Sequence, residues 1–138
     1  MHGTAVTAHG FGLLLVGPSG SGKSTLALQM MSLGAGLISD DIVALDQVGS
    51  VIAVAHPKST SEVIQIEARG FGILNSQAEQ PKPLKAVVDL GHVSQDRLPK
   101  CTMVQLGDVP IPLFHKVETP AFPAVLMHYL QNGTANDL

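Results

Sequence analysis

The 138-residue chain has no tryptophan, one tyrosine, four phenylalanines and a single cysteine, Cys101. So few aromatic side chains leave a core that must be aliphatic. One thiol cannot close an internal disulfide, and neither Cys nor His recurs at zinc-finger spacing, which excludes a disulfide scaffold and fits a reducing compartment, the cytoplasm. Charge is sparse as well: 14% of residues are charged and the net charge is -3. A nucleic-acid binder needs a basic footprint that is missing here. Apolar runs such as "FGLLLVG" are far too short to cross a bilayer, and no basic region precedes an apolar one at the N-terminus, so no membrane partner is expected.

What is present in quantity is hydrophobic side chains, 45% of the residues, together with fourteen glycines and nine prolines. That is enough apolar mass for one core, and a single domain over residues 1–138 with many tight turns is expected. "TAVTAHG" and "FGLLLVG" read as two short strands around a glycine turn. "KSTLALQMMSLGAG" puts Leu26, Met30 and Leu33 on one helical stripe that Gly34 or Gly36 can end. "LISDD" is a short strand closed by two acids, and "IVALDQVGSVIAVAHP" is a hairpin turning at Val-Gly-Ser. "EVIQIEARGFGIL" is a further strand entering a glycine turn. "NSQAEQPKP" reads as a loop, "LKAVVDLG" as a buried strand ending in Asp89, and "DRLPKCTMVQLGDVPIPLF" as strand pieces broken by Pro and Gly. "TPAFPAVLMHYLQNG" has helical spacing with a stop at Gly133. Strand signals outnumber helical ones, which predicts an α/β domain with a mixed sheet around one helix.

That helix follows "GPSGSGKST", in which Gly17, Gly22, Lys23 and Ser24 fill every fixed position of G-x-x-x-x-G-K-[ST]. Gly17, Pro18, Ser19, Gly20, Ser21, Gly22, Lys23, Ser24 and Thr25 are thus the candidate nucleotide-binding residues. Their backbone N–H groups and the positive helix end would hold an anionic phosphate, with Lys23 reaching the β- and γ-phosphates and Ser24 placed to ligate magnesium. Phosphoryl transfer also needs carboxylates, and three strand ends offer them: Asp40 with Asp41, Glu67, and Asp89. Pattern alone does not rank the three. Arg69 and Arg97 are the only arginines, and either could stabilise charge on a moving phosphoryl group. The six histidines show no metal-ligand spacing.

Taken in order, "MHG", "GPSGSGKST", "LISDD", "IEARGFGILN", "VVDL" and "QDRL" resemble the catalytic domain of bacterial HPr kinase/phosphorylase, in its short alphaproteobacterial-type form without the usual N-terminal domain. The resemblance runs from His2 to about Arg97. It implies a P-loop core of the HPr kinase/phosphoenolpyruvate carboxykinase-like type that uses ATP and Mg2+ to phosphorylate a serine of HPr. By the same resemblance the acceptor is the HPr of a nitrogen-related phosphotransferase system and the assembly a homo-oligomer, a hexamer. It implies Asp41 as the base taking the serine proton, Asp40 as its neighbour, Ser24 and Glu67 as magnesium ligands, Lys23 on the phosphates, and His2 and Arg97 as further active-site residues. Ala68 and Phe71 stand in the signature where aliphatic residues are usual, Arg69 falls near the site, and Asp89 drops to a secondary role. "SQAEQPKPLK" replaces a glycine- and alanine-rich stretch. "IPLFHKVETPAFP" stands where a late proline, arginine and glycine motif associated with the phosphorylase reaction belongs, so dephosphorylation of HPr loses its motif. The rival readings are a nucleotide-binding regulatory module that transfers nothing and a small-molecule P-loop kinase.

Overall fold

The computed structural model describes residues 1–58 and 63–135. Ten strands and two helices follow in the order β1 (Thr4–Ala8), β2 (Phe11–Val16), α1 (Lys23–Ser32), β3 (Gly36–Ser39), β4 (Ala44–Val48), β5 (Val51–Ala55), β6 (Val63–Ala68), β7 (Gly72–Gln77), β8 (Lys82–Val93), β9 (Thr102–Leu106), β10 (Val109–Lys116) and α2 (Phe122–Asn132). The main sheet has the order β3-β1-β2-β8-β10-β9, with β5 hydrogen-bonded to the start of β8 and β4 to β5. Its centre, β2-β8-β10, is parallel, whereas β1 and β9 run antiparallel to their neighbours. β6 and β7 form a separate hairpin, and Glu62, at the start of the strand expected there, lies outside the described residues.

Parallel central strands are buried on both faces, which is why "LLL" in β2 needs no polar alternation. Leu13 and Leu15 pack in one core with Leu26, Ala27 and Met30 of α1 and Leu126 and Leu130 of α2. Leu14 points the other way, into a second core with Val54 of β5 and Val109 and Ile111 of β10. Each such leucine stabilises the fold by about 1.5–3 kcal/mol on burial. β8 serves both cores with a change of phase: Leu84 faces the second core, while Ala86 and Val88 face the first. The register against β2 slips between Gly12 and Leu13. That bulge lets two residues of equal parity reach opposite faces.

The hairpin expected at Val-Gly-Ser is there, and Gly49 at φ 63 turns it. α1 ends earlier than its stripe suggests. Gly34 adopts φ 110, its N–H reaches Met31 O at 3.0 Å and that of Ala35 reaches Met30 O at 3.1 Å, closing the helix with paired backbone bonds at its C-terminus. Leu33 is therefore 52% exposed at the cap rather than on the buried stripe. The loop expected at 75–83 is shorter too, since Asn75–Gln77 continue β7 and pair with β6. Among the described residues no helix is long and apolar enough to cross a membrane.

Candidate phosphate-transfer site

The site is assembled where β2 and β3 end. β2 runs into the loop 17–22, and α1 begins at Lys23 with its first turn bonded from Leu26 N to Gly22 O at 2.9 Å. Gly22 caps the helix in the left-handed region, at φ 97, where a side chain would strain the chain. Gly17 is required for another reason: a Cβ there would come 2.7 Å from Ser21 Oγ and 3.2 Å from Gly91 N. No acidic side chain occupies the first turn of α1, so its positive end remains available to an external anion. Ser21 Oγ is buried with no hydrogen-bond partner among the described residues. An open positive helix end, an orphaned hydroxyl and a loop whose first glycine leaves no room for a side chain suit a phosphate group.

Lys23 curls back over this loop, its Nζ donating to Gly17 O at 2.8 Å and Pro18 O at 3.2 Å. Ser24 Oγ donates to both carboxylate oxygens of Asp40, at 2.9 and 3.1 Å, and Thr4 Oγ1 donates to Asp40 Oδ1 at 2.7 Å. Asp40 is thus gripped between β1 and α1. β3 brings it there because it pairs with β1, although 36 residues separate Thr4 from Asp40.

Asp41 behaves differently. Ile42 N donates to Asp40 O at 2.9 Å and Asp41 sits at φ 74, so it is the centre of a γ-turn of the rarer, strained kind. The turn is held by Gly3 N on Asp41 O at 3.0 Å, by Ser39 Oγ on Ile42 O, and by Val43 N on Met1 O at 2.9 Å. The Asp41 carboxylate projects outward, 83% exposed and 3.8 Å from the equally exposed His2 Nδ1.

Across from these acids stands the β6–β7 hairpin. Ile64 and Ile66 face the core, so period-2 alternation turns Gln65 and Glu67 outward. The result is a cavity of about 720 Å3 lined by Thr4, Ser19, Gly20, Gly22, Lys23, Ser24, Thr25, Asp40, Asp41, Gln65, Glu67, Arg69 and Ile73. Two of the three acidic strand ends converge on the phosphate loop. Arg97 does not line this cavity; it lies exposed between β8 and β9. Thr4 and Gln65 were invisible as site residues, since no local signal says which strand pairs with β3.

Oxygen donors of this type, a hydroxyl and carboxylates, suit magnesium, which keeps several waters and takes phosphate oxygens as ligands. Among the described residues no cluster of three or more His, Cys, Asp or Glu could hold a metal unaided. Ser24, Asp40 and Glu67 therefore fit an ion that arrives with a phosphate-bearing ligand.

Asp89 has a separate environment. It pairs in register with Val16 on one side and His115 on the other, accepts Gly91 N–H at 2.8 Å, and contacts His92 Nδ1 at 2.6 Å. Burial alone would raise its carboxyl pKa. The hydrogen bonds from His92 and Gly91 and the charges of His92 and His115 outweigh burial and hold it below the usual carboxylate range. A lowered folded-state pKa contributes stability above the unfolded value, about 3.9, that is lost as pH falls through the folded value. Asp89→Asn should therefore melt below the parent at neutral pH, with the gap closing under about pH 4; thermal melts across that range check it.

A family model described as HPr Serine kinase C-terminal domain matches residues 1–96. An HPr kinase/phosphorylase of Clostridium novyi is 34% identical over 104 residues, covering 70% of this chain and 33% of the relative. One from Chlorobium phaeovibrioides is 31% identical over 136 residues, covering 88% and 40%. The chain thus spans about a third to two fifths of the length of these curated relatives. The structure of the Hpr(Ser) kinase/phosphatase from Coxiella burnetii superposes with a TM-score of 0.76 at 16% identity, covering 96% of this chain and 93% of that one. That likeness bears out the mixed-sheet α/β fold.

Proposed function

We propose, since the chain belongs to the family of the HPr serine kinase C-terminal domain, that it transfers the γ-phosphate of ATP to a serine of the phosphocarrier protein HPr. The observation that carries this reading is the convergence of Asp41 and Glu67 on the cavity floored by Gly20, Gly22, Lys23 and Ser24. A phosphate cradle alone would suit any P-loop protein. An exposed carboxylate on a fixed turn at its mouth suits the deprotonation of a hydroxyl carried by another macromolecule.

In this reading the Asp41 carboxylate takes the proton of the serine Oγ as that oxygen attacks the γ-phosphorus. The bond from the γ-phosphorus to the β,γ-bridging oxygen breaks and ADP departs. Lys23 holds the β- and γ-phosphates, the loop N–H groups hold the β-phosphate, and Arg69 lies within the same cavity to meet charge on the transferring group. His2, beside Asp41, orients that carboxylate. Ser24 and Glu67, with Asp40 fixing the serine, would hold magnesium, which would supply charge neutralisation on the phosphates. Arg97 is assigned to the site by resemblance and would approach it only with movement of its exposed segment. The acceptor is the HPr of a nitrogen-related phosphotransferase system, and the working form is a cytoplasmic homo-oligomer, a hexamer.

Incubation of the purified chain with ATP, Mg2+ and HPr from the same organism is expected to add one phosphoryl group to a serine, read by intact-mass spectrometry and peptide mapping. HPr left unmodified while ATP still binds would favour a regulatory nucleotide-binding module.

A further inference from the structure

A second cavity opens on the other flank of the phosphate loop. It measures about 490 Å3 and shares Gly20, Gly22 and Thr25 with the acidic one, so the two meet at the loop. Its remaining walls are Ser21 of the loop, Leu26 and Gln29 of α1, Leu90 of β8 and the segment Lys116–Pro123 that joins β10 to α2. This segment lies beyond residues 1–96, the extent of the family match.

Geometry allots the two cavities different ends of one ligand. A nucleoside triphosphate lying on the loop with its γ-phosphate toward Asp41 and Glu67 must extend its α-phosphate and sugar away from them. The second cavity shares Gly20, Gly22 and Thr25 with the first but none of its acids, so it adjoins the loop away from them. Its lining also has the mixed character that a base requires: Leu26, Leu90, Pro120 and Phe122 offer apolar surface for a flat ring, while Gln29 and Glu118 offer polar atoms for its edge. Three acids line the first cavity, whereas Glu118 is the single acid in this lining and Lys116 lines it too. Its volume lies within the range typical of small-molecule sites, about 300–1,000 Å3.

We infer that the cavity between the phosphate loop and Lys116–Pro123 takes the nucleoside end of the phosphate donor, with the base between Leu26, Leu90 and Pro120 and its edge toward Gln29 and Glu118. The inference rests on the nucleotide-binding reading above and specifies where the rest of the nucleotide goes. It assigns the β10–α2 segment to donor recognition, a task with no counterpart in the acceptor's chemistry.

The test compares ATP with inorganic tripolyphosphate, which has the phosphates without the nucleoside, by calorimetry in the presence of Mg2+. Pro120→Trp, which fills the cavity from its rim, should weaken ATP about tenfold or more and change tripolyphosphate by less than about twofold. Unchanged ATP affinity, or equal losses for both ligands, would overturn the assignment. Should Pro120→Trp fail to fold, the parent chain answers alone: photolabelling with 8-azido-ATP is expected to modify residues within 116–123 or the cavity side of α1, and labelling of the β6–β7 hairpin instead would sink it. A parent chain that binds tripolyphosphate as tightly as ATP refutes the nucleoside site and leaves the cradle standing. A parent that binds neither ligand refutes the cradle itself.

Discussion

An Asp41→Asn chain is expected to bind ATP as the parent does and to phosphorylate HPr at least ~100-fold more slowly, the lower end of what a positioned general base contributes. The substitution separates charge from shape. Asp41 sits at φ 74, and Asn is among the few residues that tolerate this region, so the γ-turn and its bonds to Gly3 and Ile42 survive. Its side chain is exposed, with only His2 near, so an amide leaves no buried group unsatisfied. What disappears is a carboxylate able to take a proton. Asp41→Ala would confound the result, because alanine at positive φ adds strain of order 1–3 kcal/mol to the same turn. Transfer rate, ATP affinity and melting temperature measured together decide the matter. A rate close to that of the parent would remove Asp41 from the chemistry, and a fall in melting temperature would assign it to the fold.

How much of this was legible beforehand depends on whether the signal is local. The phosphate loop was, because glycine spacing and the lysine-hydroxyl pair are contiguous and the strand before and helix after are short-range patterns. The hairpins at Gly10 and Gly49 and the stop at Gly133 were legible for the same reason: a turn needing positive φ announces itself by glycine. The stripe over α1 misled at Leu33, since periodicity does not say where a Gly34 cap will end the helix. Pairing across the sheet was not legible at all. Nothing near Thr4 indicates that β1 will lie between β2 and β3 and place its hydroxyl on Asp40. Both acids follow the end of β3, where the γ-turn sets Asp41 outward at the cavity mouth while Ser24 and Thr4 hold Asp40 inside. Adjacent acids were visible as a pair, and their division of labour was not. The bulge in β8 is invisible in the same way, because it depends on the register imposed by β2.

That division of labour gives the second large effect, for Asp40→Ala set beside Glu67→Ala. Asp40 accepts from Ser24 and Thr4, so its removal leaves two hydroxyls on different elements without their acceptor and frees Ser24 to rotate. Hydrogen bonds to a charged group contribute about 1.5–3 kcal/mol each when well shielded. Asp40 is only partly buried, so a total near the lower figure is expected, read as a lowered melting temperature without any ligand. Glu67 stands exposed on β6, and its loss should leave the melt unchanged. Both variants should need more Mg2+ for the same ATP affinity, by about tenfold or more, the usual consequence of disturbing a ligand or the group that orients it. Calorimetric titration of ATP at several Mg2+ concentrations, with chelator as the control, measures this directly. If Asp40→Ala lowers the melting temperature but leaves the Mg2+ requirement untouched, Asp40 is a clasp between β1 and α1 and the ion depends on Ser24 and Glu67 alone. If Glu67→Ala leaves that requirement untouched, the hairpin wall serves the acceptor rather than the metal, and the carboxylate that matters to magnesium is the one Ser24 already holds.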